Sequence, residues 1–272
     1  MKLLERLFRL DGRTIVVAGG SGQIGFAFCE ILADCGATVV IADIDTELGE
    51  GKRAALPGRL AERMRVVHAD ASDRASVEQA LADAAGESGK LYGLVNSFHF
   101  KGNTRRLDTS SNFFAGFADY PEEAWDLVHD VNLKGSFLMS QAALPYLKAN
   151  GGGAIVNVSS TYGNVSANKS IYGESGINSP VAYATSKAAL INLTRYLATH
   201  LAEDGIRCNT LSPGGVANNQ SEEFVRNYTT LTPLKRMAEA TDYQGAIAYL
   251  MSDASAYMTG ANLIVDGGWT AW

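Results

Sequence analysis

The chain has 272 residues, 46% hydrophobic and 19% charged with 28 glycines, a profile that excludes disorder and collagen-like sequence and favours one large domain over two small ones. A net charge of −6 with no run of Lys or Arg argues against nucleic acid as a partner. The longest apolar runs are strand-sized, far short of the ~20 residues that span a bilayer, so neither a transmembrane helix nor a membrane partner is expected.

Met1–Leu10 places Leu3, Leu4, Leu7 and Phe8 on one helical face, while Glu5, Arg6 and Arg9 interrupt any signal-peptide core; a packed N-terminal arm is expected. Strand-like runs then recur at Thr14–Ala18, Thr38–Ala42, Arg65–Ala69, Tyr92–Val95, Ala154–Val158, Arg207–Leu211 and Asn262–Val265, with helix-like stretches between them. Runs such as TIVVA and TVVIA are β-branched and apolar on both faces, as in strands covered by helices on each side. The alternation predicts a single α/β domain over residues 1–272, a Rossmann-type doubly wound parallel sheet of about seven strands. Two long connections interrupt it, near residues 98–119 and 162–180, and loops of that length in a compact fold are usually functional. Cys29, Cys35 and Cys208 are odd in number and form no CxxC, so neither a disulfide framework nor a metal site is expected, and a reducing cytoplasm fits best.

The first strand runs into Gly19-Gly20-Ser21-Gly22-Gln23-Ile24-Gly25 and then a helix. Glycines there let the backbone turn tightly and approach a pyrophosphate at the helix N-terminus. Asp43 ends the second strand, where a carboxylate can accept both ribose hydroxyls of an adenosine and would repel a 2′-phosphate; NAD is favoured over NADP. Tyr183 and Lys187 stand one helical turn apart on one face. Chance supplies such pairs readily in a chain with 11 tyrosines; what gives this one weight is its place after the fifth strand, near the cofactor end of the sheet. A cation about 6 Å from the phenol, at an effective dielectric near 20, would favour the phenolate by roughly 2.8 kcal/mol, or about 2 pKa units, bringing Tyr183 toward catalytic range.

With these residues in place the chain resembles a short-chain dehydrogenase/reductase from about Leu10 to Trp272. The motifs are the Gly-rich turn, Asp43, Asp70 in HADAS, Asn96, Asn132 in VNLKG, Ser160 in VNVSS, Tyr183 with Lys187, Pro213-Gly214, and the closing SDASAYMTGANLIVDGG. The resemblance implies that Tyr183 is the acid/base, that Lys187 binds the nicotinamide ribose and lowers the tyrosine pKa, that Ser160 orients the substrate oxygen, and that Asn132 holds a proton-relay water. Ser160 is preferred to Ser159 because the resemblance places the serine second in the pair, and alternation along a strand cannot point both side chains the same way. The cofactor set implied is Gly19, Ser21, Gly22, Gln23, Ile24, Gly25, Asp43, Asp70, Ala71, Asn96, Tyr183, Lys187, Pro213 and Gly214, with Asp70 at the adenine. The chain departs from the family in Gln23, where a glycine is usual, and in Ser97-Phe98-His99, where Asn-Ala-Gly is usual.

The 162–180 segment is pinned between Ser160 and Tyr183 and must overhang the site. Its hydroxyl, amide and charged tips suit a polyhydroxylated substrate. With SPGGVANNQ and VDGGWTAW it resembles a subgroup associated with bacterial surface-polysaccharide and flagellin-glycan biosynthesis. Lys101, Arg105 and Arg106 could meet a phosphate or carboxylate but read first as solvated loop charges, and His99 reads first as a loop histidine packed among Phe98 and Phe100. The function expected is an NAD-dependent oxidoreductase moving hydride between NAD(H) and a secondary alcohol or ketone on a sugar-like substrate. The alternatives are an NAD-dependent sugar epimerase or dehydratase, which would regenerate its cofactor, and a non-catalytic NAD-binding protein. A homotetramer is expected, with Trp269 and Trp272 beyond the last strand in an interface; the alternative is a tail folded over its own substrate loop.

Overall fold

The computed structural model describes residues 3–100, 113–174 and 179–272. Seven strands, β1 (Thr14–Ala18), β2 (Thr38–Asp43), β3 (Met64–His68), β4 (Gly93–Asn96), β5 (Gly153–Val158), β6 (Ile206–Pro213) and β7 (Asn262–Val265), form one sheet in the order β3-β2-β1-β4-β5-β6-β7. Every pairing is parallel. After α1 (Leu3–Phe8), which precedes β1, the crossovers that parallel neighbours need are supplied by α2 (Gln23–Asp34), α3 (Thr46–Ala54), α4 (Gly58–Ala61), α5 (Arg74–Ala85), α6 (Glu122–His129), α7 (Gly135–Ala149), α8 (Val181–His200), α9 (Glu222–Leu231) and α10 (Gln244–Met251). The strand order reverses direction at β1, with β2 on one side and β4 on the other, which opens a crevice past their C-terminal ends.

The period of two along β1 divides the core. Val16 and Ala18 join Leu81, Leu94, Met139 and Leu147 on the face covered by α5 and α7, whereas Ile15 and Val17 join Phe28, Leu32, Ile247 and Leu250 on the face covered by α2 and α10. Each fully buried aliphatic or aromatic side chain contributes about 1.5–3 kcal/mol, so the two layers supply most of the driving force.

On the face covered by α7 and α8 runs a polar chain. Asn96 Nδ2 donates to Asn157 Oδ1 at 2.8 Å, and Asn157 Nδ2 donates to Thr194 Oγ1 at 2.9 Å. Asn96 also reaches Ser140 Oγ at 3.3 Å. These bonds lock β4 and β5 to α7 and α8.

The N-terminal arm departs from expectation. Leu3 and Leu4 are 65% and 69% exposed, and no residue of α1 is buried; the chain first enters the core at Leu10. A six-residue helix is too short to hold an apolar face against the domain by propensity alone. The long helix α8 runs from Val181 to His200 and is followed by a short 3₁₀ turn at Ala202–Asp204.

Asn157→Ala removes both bonds of a fully buried amide. Unfolding in urea is expected to show a loss of about 2–4 kcal/mol, the sum of unpaired polar groups and a small cavity; a loss under about 0.5 kcal/mol would mean the chain of amides contributes nothing to stability.

Candidate active site

The turn after β1 requires glycine for steric reasons that the structure makes explicit. Gly19 has φ +75°, and a Cβ there would lie 2.8 Å from the Phe98 backbone; a Cβ on Gly25 would overlap the Gly19 carbonyl oxygen. Gly22 occupies the N-cap of α2 with extended backbone and no side chain to cap it, so the first N–H groups of that helix are offered to an anion. Ser21 N–H donates to Asp43 Oδ2 at 2.9 Å, and Asp45 N–H donates to Asp43 Oδ1 at 3.0 Å. Each carboxylate oxygen keeps lone pairs for further donors. Glycine turn, uncapped helix and carboxylate together fit the pyrophosphate and adenosine ribose of a dinucleotide.

Sequence reading missed Lys52. It reaches from α3 to donate from Nζ to the Ser21 carbonyl at 2.9 Å, across 31 residues of sequence, and no local motif announces it. An ammonium therefore stands at a turn whose own residues, Gly19–Gly25, carry no cation. Asp70 Oδ1 accepts from Ser72 N–H at 2.9 Å and from Ser72 Oγ at 2.6 Å, forming the turn that leads to α5, with Ala71 half-buried beside it.

The reaction centre forms where β5 meets α8. Ser159 and Ser160 diverge: Ser159 Oγ donates to the Lys187 carbonyl at 2.7 Å, while Ser160 Oγ accepts from Tyr162 N–H at 3.1 Å and hydrogen-bonds the Tyr183 phenol. Gly163 permits this approach, since a Cβ there would meet Ser159 Oγ at 2.5 Å and the Lys187 backbone at 2.9 Å. Lys187 is buried, its Nζ 5.9 Å from the Tyr183 ring centre. It donates to the Val158 carbonyl at 2.8 Å and the Phe98 carbonyl at 3.5 Å.

The electrostatics differ from those expected. Burial pushes the Lys187 ammonium down to about 7, because carbonyl dipoles replace water only in part. Burial likewise raises the Tyr183 phenol, with the Ser160 hydroxyl opposing that shift and Tyr172 adding to it. The amine lies 5.9 Å from the ring centre, but it carries only part of its charge near neutral pH, and desolvation of the phenol raises its pKa.

Three further residues make their contacts within the fold. Asn96 is committed by its amide to Asn157 and Ser140 inside the sheet, so its side chain braces the floor of the site. Asn132 lies in a widened π-type turn, Asp130–Lys134, between α6 and α7. Its Oδ1 accepts from Phe100 N–H at 2.8 Å and its Nδ2 donates to Ser186 Oγ at 3.0 Å, tying the segment after β4 to α8. His99 is exposed, and its ring meets Tyr183 edge-on at 5.9 Å; only Phe100 of its neighbours turns fully into the core.

Past β6, Gly214 N–H donates to the Val265 carbonyl at 2.9 Å, and the Tyr243 hydroxyl donates to the Gly214 carbonyl at 3.1 Å. The Pro213 carbonyl accepts from Thr161 Oγ1 at 3.1 Å, beside Ser160. Gln23 Nε2 reaches the Ala217 carbonyl, and Ile24 is half-buried against the α2 layer. The Lys169–Tyr172 turn docks on α9 through Tyr172 and Phe224, with ring centres 5.6 Å apart. Trp269 stacks on Tyr228 at 4.4 Å and shares a cluster with Ile171. That half of the tail folds onto its own chain, because a buried aromatic partner on α9 is within reach; Trp272 stays 76% exposed. Lys101, Arg105, Arg106 and Asn178 lie outside the described residues.

A cleft of about 490 Å³ opens nearby, lined in part by Phe117, Tyr162, Tyr172, Val181, Thr185 and Ala188. Positions 181, 185 and 188 share the face of α8 opposite to that of Tyr183 and Lys187 at 3.6 residues per turn, so this cleft is separate from the reaction centre.

The family model described as enoyl-(acyl carrier protein) reductase matches residues 18–270. A short-chain dehydrogenase from Leptospira borgpetersenii with bound NAD+ superposes with a TM-score of 0.83 at 33% identity, covering 99% of this chain and 96% of that one. The chain belongs to the short-chain dehydrogenase/reductase family. It is an oxidoreductase whose chemistry is hydride transfer at a secondary alcohol or ketone. Among its relatives are a galactitol 2-dehydrogenase (L-tagatose-forming) of Cereibacter sphaeroides, 34% identical over 98% of both chains, and a D-arabinitol 2-dehydrogenase (ribulose-forming) of Scheffersomyces stipitis, 32% identical over 97% of this chain and 96% of the other. Among the described residues no helix is long and apolar enough to cross a membrane.

The buried lysine makes a stability prediction. Lys187 is held at about 7 against an ordinary 10.5, so between those values the unfolded chain binds more protons than the folded one, and stability rises with pH through that window. In Lys187→Met the term is absent. The melting-temperature gap between wild type and variant is expected to widen toward alkaline pH by roughly 3 °C per pH unit; a constant gap from pH 7 to 9.5 would show that the amine stays charged in the fold.

Proposed function

We propose that this oxidoreductase uses NAD to oxidise, or in reverse reduce, one secondary carbinol of an open-chain polyol or related sugar derivative. The observation that carries the reading is the Ser160 hydroxyl on the Tyr183 phenol, with Lys187 Nζ 5.9 Å from the ring. A carbinol oxygen set between the two hydroxyls is oriented by Ser160 and exchanges its proton with Tyr183. When bound, the nicotinamide supplies the hydride chemistry. Lys187, held by two carbonyls, stands beside the phenol where it can gain or lose a proton near neutrality. Asn132 keeps the 98–100 segment, and with it the Phe98 carbonyl, fixed against α8.

NAD rather than NADP follows from Asp43, whose free lone pairs suit ribose hydroxyls and repel a 2′-phosphate. Lys52 Nζ is anchored on the Ser21 carbonyl and opposes that repulsion in part. Gly19, Ser21, Gly22, Ile24 and Gly25 form the pyrophosphate cradle, with Pro213 and Gly214 toward the nicotinamide and Asp70 and Ala71 toward the adenine. The polyol relatives support the substrate class. The long 162–180 segment and its aromatic neighbours extend it toward the larger sugar derivatives of surface-glycan biosynthesis that the loop resembles. Three free cysteines, two of them buried, suit a cytoplasmic home. A homotetramer would cover Phe137 on α7 and Tyr196 on α8, both exposed here, and light scattering should show four chains.

Galactitol, D-arabinitol and sugar derivatives incubated with NAD should accumulate reduced nicotinamide, whereas an epimerase would not let it accumulate. Tyr183→Phe is expected to lose at least about 10²-fold in turnover while binding NAD as before; near wild-type turnover would remove Tyr183 from the chemistry. Because the phenol is raised by burial, oxidation should speed up as pH rises from 7 to 9 while reduction does not.

NAD should bind at least tenfold tighter than NADP, a difference of about 1.4 kcal/mol, and Asp43→Ala should narrow that ratio. Equal affinities in the wild type would show that Asp43 does not meet the ribose.

A further inference from the structure

Gln23 opens α2 and makes a long-range bond through its side chain. Its Nε2 donates to the Ala217 carbonyl at 2.8 Å, across 194 residues of sequence. Gln23 lies past the end of β1 and Ala217 past the end of β6, and β4 and β5 stand between those strands. Neighbouring strands are about 4.8 Å apart, so three steps separate the two strand ends by about 14 Å, well beyond a glutamine side chain. The bond forms only because the chain after Pro213 folds back across the ends of β5 and β4.

That returning segment is anchored on its far side. Ala217 N–H donates to the Ala238 carbonyl and Ala238 N–H to the Gly215 carbonyl, both at 2.9 Å. Gly215 N–H donates to the Tyr228 hydroxyl at 2.6 Å, and Gln220 Nε2 donates to the Val216 carbonyl at 2.8 Å. On the near side, toward the glycine turn, the Gln23 amide is the side-chain bond that joins it to α2. A ligand lying on Gly19–Gly25 and reaching toward Lys187 passes between the turn and this strap.

We propose that Gln23 is a positioning residue, a clasp that closes the 214–220 segment over the dinucleotide and slows its release. The proposal rests on the dinucleotide reading above. The bond is exposed to water, so its net effect is modest: about three- to tenfold on the rate of dissociation. Opening the clasp is a local motion that leaves the sheet and both core layers untouched.

The test is NADH release followed by stopped-flow fluorescence, alongside thermal unfolding without ligand. Gln23→Met keeps length and bulk but removes the donor, and Gln23→Ala removes both. Release three- to tenfold faster in both variants, with unfolding unchanged, is the expected result. Wild-type release from Gln23→Met overturns the proposal, and so does acceleration confined to Gln23→Ala, which would assign the effect to bulk. A wild type that binds NADH tightly while the variants match it sinks the clasp alone; a wild type that binds neither NADH nor NADPH sinks the clasp together with the dinucleotide reading.

Discussion

The burial of the Lys187 amine is the constraint on which the reaction centre depends. Its side chain is among the largest fully buried in the molecule, and it ends on two carbonyls from different elements, Val158 at the end of β5 and Phe98 beyond β4. An ammonium there is tolerated only because these dipoles face it and because it can give up its proton. The same bonds fix α8 relative to the sheet, and α8 carries Tyr183. Position of the phenol and charge of the amine are therefore one problem, solved by one set of contacts.

The close approach has its own requirement. The turn Thr161–Gly163 lies against α8 at Lys187, with Gly163 filling a gap that admits no Cβ. Ser160 leaves β5 in extended backbone at φ −163° and faces the phenol, while Ser159 turns to the Lys187 carbonyl. The two serines thus divide the work, one holding the helix and the other facing the phenol.

Most of the fold was legible because parallel strands buried on both faces leave unbroken apolar runs, and all seven strands fall within two residues of their expected bounds. The Gly-rich turn and Asp43 were legible for the same reason: the chemistry lies in consecutive or regularly spaced residues. What escaped depends on tertiary approach. Lys52 reaches Ser21 from another helix, and Asn96 and Asn132 spend their amides on partners tens of residues away. The expected drop in the Tyr183 pKa counted a charge at a distance and left out the desolvation that both partners suffer. Trp269 was placed beyond a sheet edge, but its partner Tyr228 belongs to α9, a helix absent from the list of strand-like runs.

The stack of Trp269 on Tyr228, with Ile171 in the same cluster, also sets an order of assembly. The cluster joins the Lys169–Tyr172 turn and α9 to a side chain that follows β7. Ile171 and Tyr228 are therefore synthesised before the ring that covers them, and β1–β6 can pair while that cover is still missing. A substitution at Trp269 would loosen α9 and the Lys169–Tyr172 turn before it touched the sheet.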